Sequence, residues 1–429
     1  MQFPHIHVAL PVMDEPEWLP VILSLIEQQT YRHFSVVVCV NQPEAWWVDP
    51  SRLSACKNNT QSLSLLENVS GFPVEVIDRS SRGAGWIGKR HGVGWARKTV
   101  MDQISRKAEP DDIILSLDAD TLFSECYFES VAEAMSTHPH ATALSIPYYH
   151  HLPDDQDAAR AILRYEIYMR YYLLNLWRIK SPYAFTALGS AMAFPVWAYR
   201  KVRGMTPKLS GEDFYFLQKL RKAGKLINWN REKVFPAARF SSRVFFGTGP
   251  AMIRGSGGDW GSYPVYSYRL FDEIGESYSF FKEMYIRTLE TPVTRILQEQ
   301  TGEEDPFATL RRNSREMHQF VRACHEKFDG LRILQYLKKR HQEEGGQDEE
   351  NLVDWLKTFY PEELISLMLD SGNTEPETRT GANRSSAKPN ANGGQKKFSF
   401  TDSSLEEIDQ VRNFLVVEED RVRKENPLF

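Results

Sequence analysis

Cysteine is scarce and scattered: Cys39, Cys56, Cys126 and Cys324 are the only four in 429 residues, and no two have CxxC spacing. Neither a thiolate zinc site nor a disulfide framework is indicated, and a reducing compartment fits best. A surplus of positive charge is missing too. With 52 Lys and Arg against 57 Asp and Glu and a net charge of -5, binding of nucleic acid through bulk charge is not expected. No charged and apolar leader follows Met1. No apolar run reaches membrane-spanning length: Ile162 to Ile179 is interrupted by Arg164, Glu166, Arg170 and Arg178, and Tyr183 to Tyr199 by Gly189 and Pro195. The first of these, aromatic and basic, suits a membrane surface, but a core-facing amphipathic helix is the plainer reading. What remains is a soluble globular chain, 41% hydrophobic, with enough apolar residues for a large core. The expected location is cytoplasmic, with peripheral contact at the inner face of the membrane as a secondary reading.

The most informative stretch is IILSLDADT, Ile113 to Thr121, where an apolar run ends in two carboxylates one residue apart. Ile113, Ile114, Leu115 and Leu117 read as a short buried strand, with Asp118 and Asp120 at its exit. Open α/β sheets bind ligands at the carboxyl ends of their strands. Two carboxylates this close repel unless a cation or hydrogen-bond donors lie between them, and hard cations such as Mg²⁺ or Mn²⁺ prefer oxygen ligands. By itself the tripeptide is equally an ordinary strand-to-turn exit.

Around it the chain reads as a Rossmann-like, mostly parallel sheet flanked by helices. Strands are expected at His5 to Pro11, Phe34 to Val40, Val74 to Asp78 and Thr142 to Pro147, with helices at Trp18 to Gln29, Phe128 to Met135 and Asp157 to Ile179. Trp46 to Gly71 reads as an irregular polar insertion. Gly83, Gly85 and Gly88 satisfy GxGxxG, but they follow the third strand and no acidic residue ends the next strand at the usual offset, so a dinucleotide site is rejected in favour of a mobile loop. Lys89, Arg90 and Arg97 follow, suited to phosphate or to a solvated helix face. Gly189 and Ser190 open the apolar segment 185–194, where backbone can approach a ligand.

Glu212 and Asp213 stand directly before the periodic segment Tyr215 to Ala223, as helix-capping acids or as a general base. Arg239 and Arg243 flank Ser241 and Ser242 ahead of Gly247-Thr248-Gly249, a spacing that suits a phosphate clamp or structural ion pairs. Beyond residue 260 the chain turns helical, with helices expected at Leu270 to Gln300, Phe307 to Phe328, Leu331 to His341 and Leu352 to Leu369. Residues 371–398 have the composition of a disordered linker, and a last amphipathic helix opens with Ser403 and Glu406 in capping-box spacing. The expected organisation is a sheet domain over 1–260, a helical region over 261–370, the linker, and a C-terminal helix over 399–429.

Taken in order, VALPVMDE, the strand ending at Asn41, GVGWARK, LDADT, GEDFYFLQKL and the later arginines resemble the signature regions of glycosyltransferase family 2 on the GT-A fold, over roughly residues 5 to 250. The segments GVGWARKTVMD, TALGSAMAF and R-x-S-x-R-V-x-F-G-T-G look like a bacterial branch of that family. The resemblance implies a UDP- or GDP-sugar donor, an acceptor hydroxyl and bound Mg²⁺ or Mn²⁺. It implies that Pro11, Glu15 and Asn41 hold the nucleotide, with Asn41 in place of a usual Asp. It implies further that Lys89, Arg90 or Arg97 meets the base and phosphates, that Asp118 is the nucleotide-side acid, and that Asp120 carries the metal. Glu212 and Asp213 become the acidic pair of the catalytic base, Asp213 first, and Arg243 and Arg239 meet the diphosphate. No QxxRW motif is present, so processive polymerisation is not implied. With one base and no evident nucleophilic side chain, direct displacement with inversion is expected. The alternative is a catalytically silent GT-A-like platform that recruits partners. A sugar nucleotidyltransferase would need a Gly-rich basic loop after the first strand, which VALPVMDE lacks.

Overall fold

The computed structural model describes residues 4–208, 211–240, 248–363 and 397–428. Four apolar runs make the parallel half of the main sheet: β1 (Ile6–Val12), β2 (Phe34–Asn41), β3 (Val74–Arg79) and β4 (Ile113–Ser116). Strands covered on both faces must be apolar throughout, and β1, β2 and β4 are buried almost without interruption. The pleat divides their side chains. Ile6, Val8 and Leu10 of β1 and Val36 and Val38 of β2 join one core, while Ala9, Val37 and Cys39 join the core on the opposite face.

The remaining strands are β5 (Thr121–Phe123), β6 (Ala143–Ser145), β7 (Met192–Pro195), β8 (Leu226–Ile227) and β9 (Val234–Pro236). The seven-stranded sheet has the order β3-β2-β1-β4-β7-β6-β8, and β7 alone runs against its neighbours. β5 and β9 form a separate antiparallel pair, Thr121 opposite Pro236. The expectation of a mostly parallel α/β sheet holds. Pro11 sits in a central strand without breaking a ladder, because β4 runs alongside only Ile6 to Ala9 and Pro11 faces Cys39 of β2 beyond that register.

The crossovers are α1 (Trp18–Glu27), α2 (Leu53–Glu67), α3 (Val93–Lys107) and α4 (Tyr127–Thr137). α2 corrects the reading of residues 46–71 as irregular. Its inner face is built from small and polar residues, Ala55, Cys56, Asn59 and Ser62, which hide the period from a hydrophobicity scan. Asn59 is fully buried and satisfied, with its Oδ1 accepting from the Asp14 N–H at 2.8 Å and its Nδ2 donating to Gln42 at 2.7 Å.

Next comes α5 (Gln156–Arg178), buried along most of its length. It is a core helix, so the membrane-surface reading of Ile162 to Ile179 does not apply, and no described helix is long and apolar enough to cross a membrane. α6 (Val196–Lys201), α7 (Glu212–Ala223) and α8 (Thr248–Ser256) follow.

The expected Leu270 to Gln300 helix is two, α9 (Tyr268–Ser279) and α10 (Pro292–Thr301). The break comes where Pro292 takes the first turn of α10 behind the Thr291 capping box. Phe307 to Phe328 likewise divides into α11 (Ala308–Asn313) and α12 (Met317–Lys327), before α13 (Gly330–Glu344) and α14 (Asp348–Phe359). Residues 364–369 of the last expected helix and 371–396 of the expected linker lie outside the described residues. The C-terminal helix, Leu405–Glu425, is capped by Ser404 and Glu407, one residue later than expected. Ser403 is buried, and its hydroxyl accepts from the Ser399 N–H at 3.2 Å instead.

Candidate active site

The strand order sets the site. β1, β4 and β2 end side by side, and their carboxyl ends deliver Glu15, Asp118 and Asn41 to one edge. The Asp118 carbonyl accepts from the Thr121 N–H at 3.2 Å, closing a turn in which Ala119 is buried while both aspartates remain partly exposed. The chain then enters β5, whose partner β9 returns beside it, and the Ala237 N–H donates to the Asp120 carbonyl at 3.0 Å. This pairing carries Arg239 to Asp120. Its Nε and Nη2 donate to Asp120 Oδ2 at 3.0 and 2.6 Å, and Nη2 also reaches Glu15 Oε1 at 2.5 Å.

A second arginine organises the inner side. Arg97, on α3, is 2% exposed in its side chain, and its Nη2 meets Asp118 Oδ1 at 2.7 Å while its Nε meets Glu212 Oε1 at 3.2 Å. Its Nη1 donates to Ser116 Oγ at 2.7 Å and to the Gly189 carbonyl at 2.9 Å. Burial alone would lower the guanidinium pKa, but Asp118 and Glu212 outweigh it and hold it above its ordinary value. Gly189 is required here, because a Cβ at that position would lie 2.3 Å from Arg97 Nη2. The backbone approach anticipated at Gly189 is thus made by an arginine of the chain itself. Ser116 was not singled out from the sequence. Its signal was a lone hydroxyl inside an otherwise apolar strand.

Glu212 and Asp213 open α7 behind Gly211, which adopts φ +70°. Glu212 is buried against Arg97. Asp213 is half-buried, and its Oδ1 accepts from the Phe214 N–H at 2.7 Å. Burial, and after it the neighbouring Glu212, push the Asp213 carboxyl up to about 7, with Arg97 opposing. A carboxylate with that affinity takes a proton readily near neutral pH.

Glu15, Arg97, Asp118, Asp120, Glu212, Asp213 and Arg239 thus gather into one cluster. Pro11 and Asn41 stand on the strands beside it. The Asn41 side chain is engaged within the fold, donating to the Val12 carbonyl at 2.9 Å and accepting from the Trp86 indole at 3.3 Å. Lys89 and Arg90 are exposed on the loop before α3 and make no ion pair with the cluster among the described residues. That loop is tied down, with the Gly83 and Gly85 N–H groups both donating to the Glu44 carboxylate at 2.9 Å. Arg243 lies outside the described residues.

Asp118 and Asp120 supply hard oxygen donors with an arginine on each. Among the described residues no set of three or more His, Cys, Asp or Glu side chains is arranged to hold a metal. The donor chemistry fits a hard cation that draws the rest of its shell from water and phosphate oxygens, as Mg²⁺ does, rather than one caged by protein alone.

Residues 113–278, a stretch containing Asp118, Asp120, Glu212, Asp213, Arg239 and Arg243, match the family described as Glycosyl transferase family group 2. The resemblance read from the motifs therefore stands. No curated protein matches the chain. Similar solved structures include S. aureus TarS 1-349 in complex with UDP-GlcNAc, 14% identical over 76% of this chain and 91% of that one, with a TM-score of 0.41. A second TarS 1-349 structure is spanned over 57% of its chain. The mannosyltransferase PcManGT from Pyrobaculum calidifontis, in complex with GDP-Man and Mn²⁺, is 15% identical over 84% of this chain and 82% of that one, with a TM-score of 0.37.

Proposed function

We propose, from the match of residues 113–278 to glycosyl transferase family group 2, that this chain transfers a sugar from a nucleotide-sugar donor to an acceptor hydroxyl. The observation that carries this reading is the meeting of the Asp118–Asp120 and Glu212–Asp213 pairs around Arg97 at one sheet edge. Displacing a nucleoside diphosphate needs positive charge at the leaving group and a base at the incoming hydroxyl. Arg239, with Arg243, is the protein's cationic contribution to the diphosphate, and Pro11, Glu15, Asn41, Lys89 and Arg90 line the donor side. Asp118 and Asp120 would hold Mg²⁺ or Mn²⁺, which when bound adds charge stabilisation to the departing diphosphate.

Asp213 accepts the proton from the acceptor hydroxyl as its oxygen attacks the anomeric carbon, and Glu212 keeps that carboxyl's proton affinity high. Arg97 positions both acidic pairs from its buried seat. A single base with direct attack inverts the anomeric centre, so a covalent glycosyl-enzyme, or retention in the product, would overturn this mechanism. A silent platform remains the rival class, and calorimetry separates the two. UDP and GDP are titrated with Mn²⁺ and with EDTA into wild type and Asp120→Asn. Metal-dependent binding that the substitution abolishes is expected, whereas absence of binding by any nucleotide would favour the platform.

A further inference from the structure

We infer that the corner of the sheet built from residues 44–53 and 79–90 is a docking surface for an anionic lipid bilayer. The two segments form one fastened unit. The Glu44 N–H donates to the Trp86 carbonyl and the Trp86 N–H to the Gln42 carbonyl, both at 2.9 Å, and the Trp47 indole donates to the Ser80 carbonyl at 2.9 Å. From this unit two large aliphatic side chains project into solvent, Val48 and Ile87, each 81% exposed. Leu53 beside them is 38% exposed.

Charge accompanies them. Arg52, Arg79 and Arg82 are all exposed, and none has an ion-pair partner among the described carboxylates, while Lys89 and Arg90, assigned above to the donor side, border them. The acids of the same corner are occupied by its own backbone. Glu44 takes the Gly83 and Gly85 N–H groups, Asp49 takes Ser51, and Asp78 takes Ser80 and Ser81. A chain of net charge -5 therefore carries a local cationic face studded with exposed aliphatic groups.

Four tryptophans sit among these cations, each with a guanidinium over its ring: Arg52 on Trp46 at 5.2 Å, Arg82 on Trp47 at 4.9 Å, Arg79 on Trp86 at 5.2 Å and Arg90 on Trp95 at 5.9 Å. Tryptophan and basic residues at an apolar edge are the composition that settles at the headgroup boundary of a bilayer. Nucleic acid is the less suited polyanion. Those ring faces are already covered by arginine and are not open stacking platforms, and projecting Val and Ile side chains gain nothing from a phosphate backbone. Lipid phosphates answer the cations, and the acyl boundary answers Val48 and Ile87.

The test does not depend on catalysis. Full-length protein is sedimented with sucrose-loaded vesicles of phosphatidylcholine alone or with phosphatidylglycerol added. Binding to the phosphatidylglycerol vesicles is expected, weakening as salt is raised. The pair Val48→Glu and Ile87→Glu is expected to lower partitioning about tenfold or more, and the pair Arg52→Gln and Arg82→Gln about twenty-five-fold, taking roughly fivefold per cation. Each variant is checked by its thermal midpoint. If the aliphatic pair fails to fold, the exposed arginine pair decides, and unchanged sedimentation of that variant overturns the inference. So does wild type that ignores both vesicle types. Loss of binding to an added RNA duplex rather than to vesicles in the arginine variant would also overturn it, by assigning the face to nucleic acid.

Discussion

At the carboxyl edge of the sheet, Glu15, Asp118, Asp120, Glu212 and Asp213 share two arginines, Arg97 and Arg239, whereas beneath the C-terminal helix Glu166, Asp409 and Glu419 face three, Arg170, Arg412 and Arg423. The second network is balanced in charge, three carboxylates against three guanidinium groups. Arg170 pairs with Glu419 and Glu166, and Arg412 donates to the His150 carbonyl. Arg423 spans Glu419 at 2.7 Å and the Asn228 carbonyl at 2.8 Å. Burial alone would raise the Glu166 carboxyl, but Arg170, His150 and Arg412 outweigh it and bring it down to about 2. In the first region burial, and after it the neighbouring Glu212, push Asp213 up to about 7, and Arg97 does not offset them. The same chemical pair serves attachment where charges balance, and leaves a reactive group where acids are in excess.

The largest effect should come from the unbalanced side. Asp213→Asn is expected to lower sugar transfer by about 10²–10⁴-fold, the usual contribution of a positioned base. In wild type the rate should rise with pH through about 7 and then level, since only the ionised carboxylate accepts the proton. A wild-type profile with no such limb would remove Asp213 from that role.

On the balanced side the expected loss is in stability. Arg423→Met strips Glu419 and two buried carbonyls, of Ser145 and Asn228, of a donor, and leaving a buried charge short of its partner costs about 3–5 kcal/mol. Urea denaturation measures it, and a cost under about 1 kcal/mol would mean that the Arg423 contacts do not hold the helix in place. The C-terminal helix would then be an attachment of the chain rather than part of its core.

A smaller effect of opposite sign separates the two regions again. The Asp213 pKa is raised from 3.8 to about 7 by folding, so its contribution to stability is fully present below 3.8 and is lost as pH rises through 7. Glu166 behaves inversely: its contribution is present above 4.5 and is lost as pH falls toward 2. Asp213→Asn should therefore be more stable than wild type at pH about 8, by about 1–2 kcal/mol after solvent screening of a half-buried group, with the gap closing toward acid pH. Denaturation at two pH values reads the difference directly.

Much of this contrast was visible in the chain before folding, but unevenly. The strands β1, β2 and β4 are continuous apolar runs, and Asp118, Asp120, Glu212 and Asp213 sit at abrupt ends of apolar or periodic segments, so their meeting at one edge follows from α/β topology. Arg97 reads as a candidate for phosphate because spacing does not show that its guanidinium is buried between the two acidic pairs. That depends on Gly189 lending space from a segment 92 residues away. α2 was hidden because its buried face is Asn, Ser, Cys and Ala rather than aliphatic. The buried network was equally hidden: Glu419 and Arg423 have the i,i+4 spacing of a solvated surface pair, and only packing against α5 takes them out of water.

The C-terminal helix carries its own control for that last point. Arg421 stands two residues before Arg423 and also bridges carboxylates one turn away, Glu418 at 2.8 Å and Glu425 at 2.9 Å, yet its side chain is 51% exposed against 1% for Arg423. In water both states of such a pair are well solvated, salt screens it, and side-chain entropy opposes it. Arg421→Ala should therefore cost no more than about 0.5 kcal/mol by urea denaturation, and less at high salt. Two arginines on one helix, each bridging a glutamate one turn away, then differ several-fold in cost through burial and the buried carbonyls that only Arg423 reaches. If Arg421→Ala cost as much as Arg423→Met, the surroundings of the pair would not be what decides its role, and the distinction between the balanced network and the carboxyl edge of the sheet would lose its physical basis.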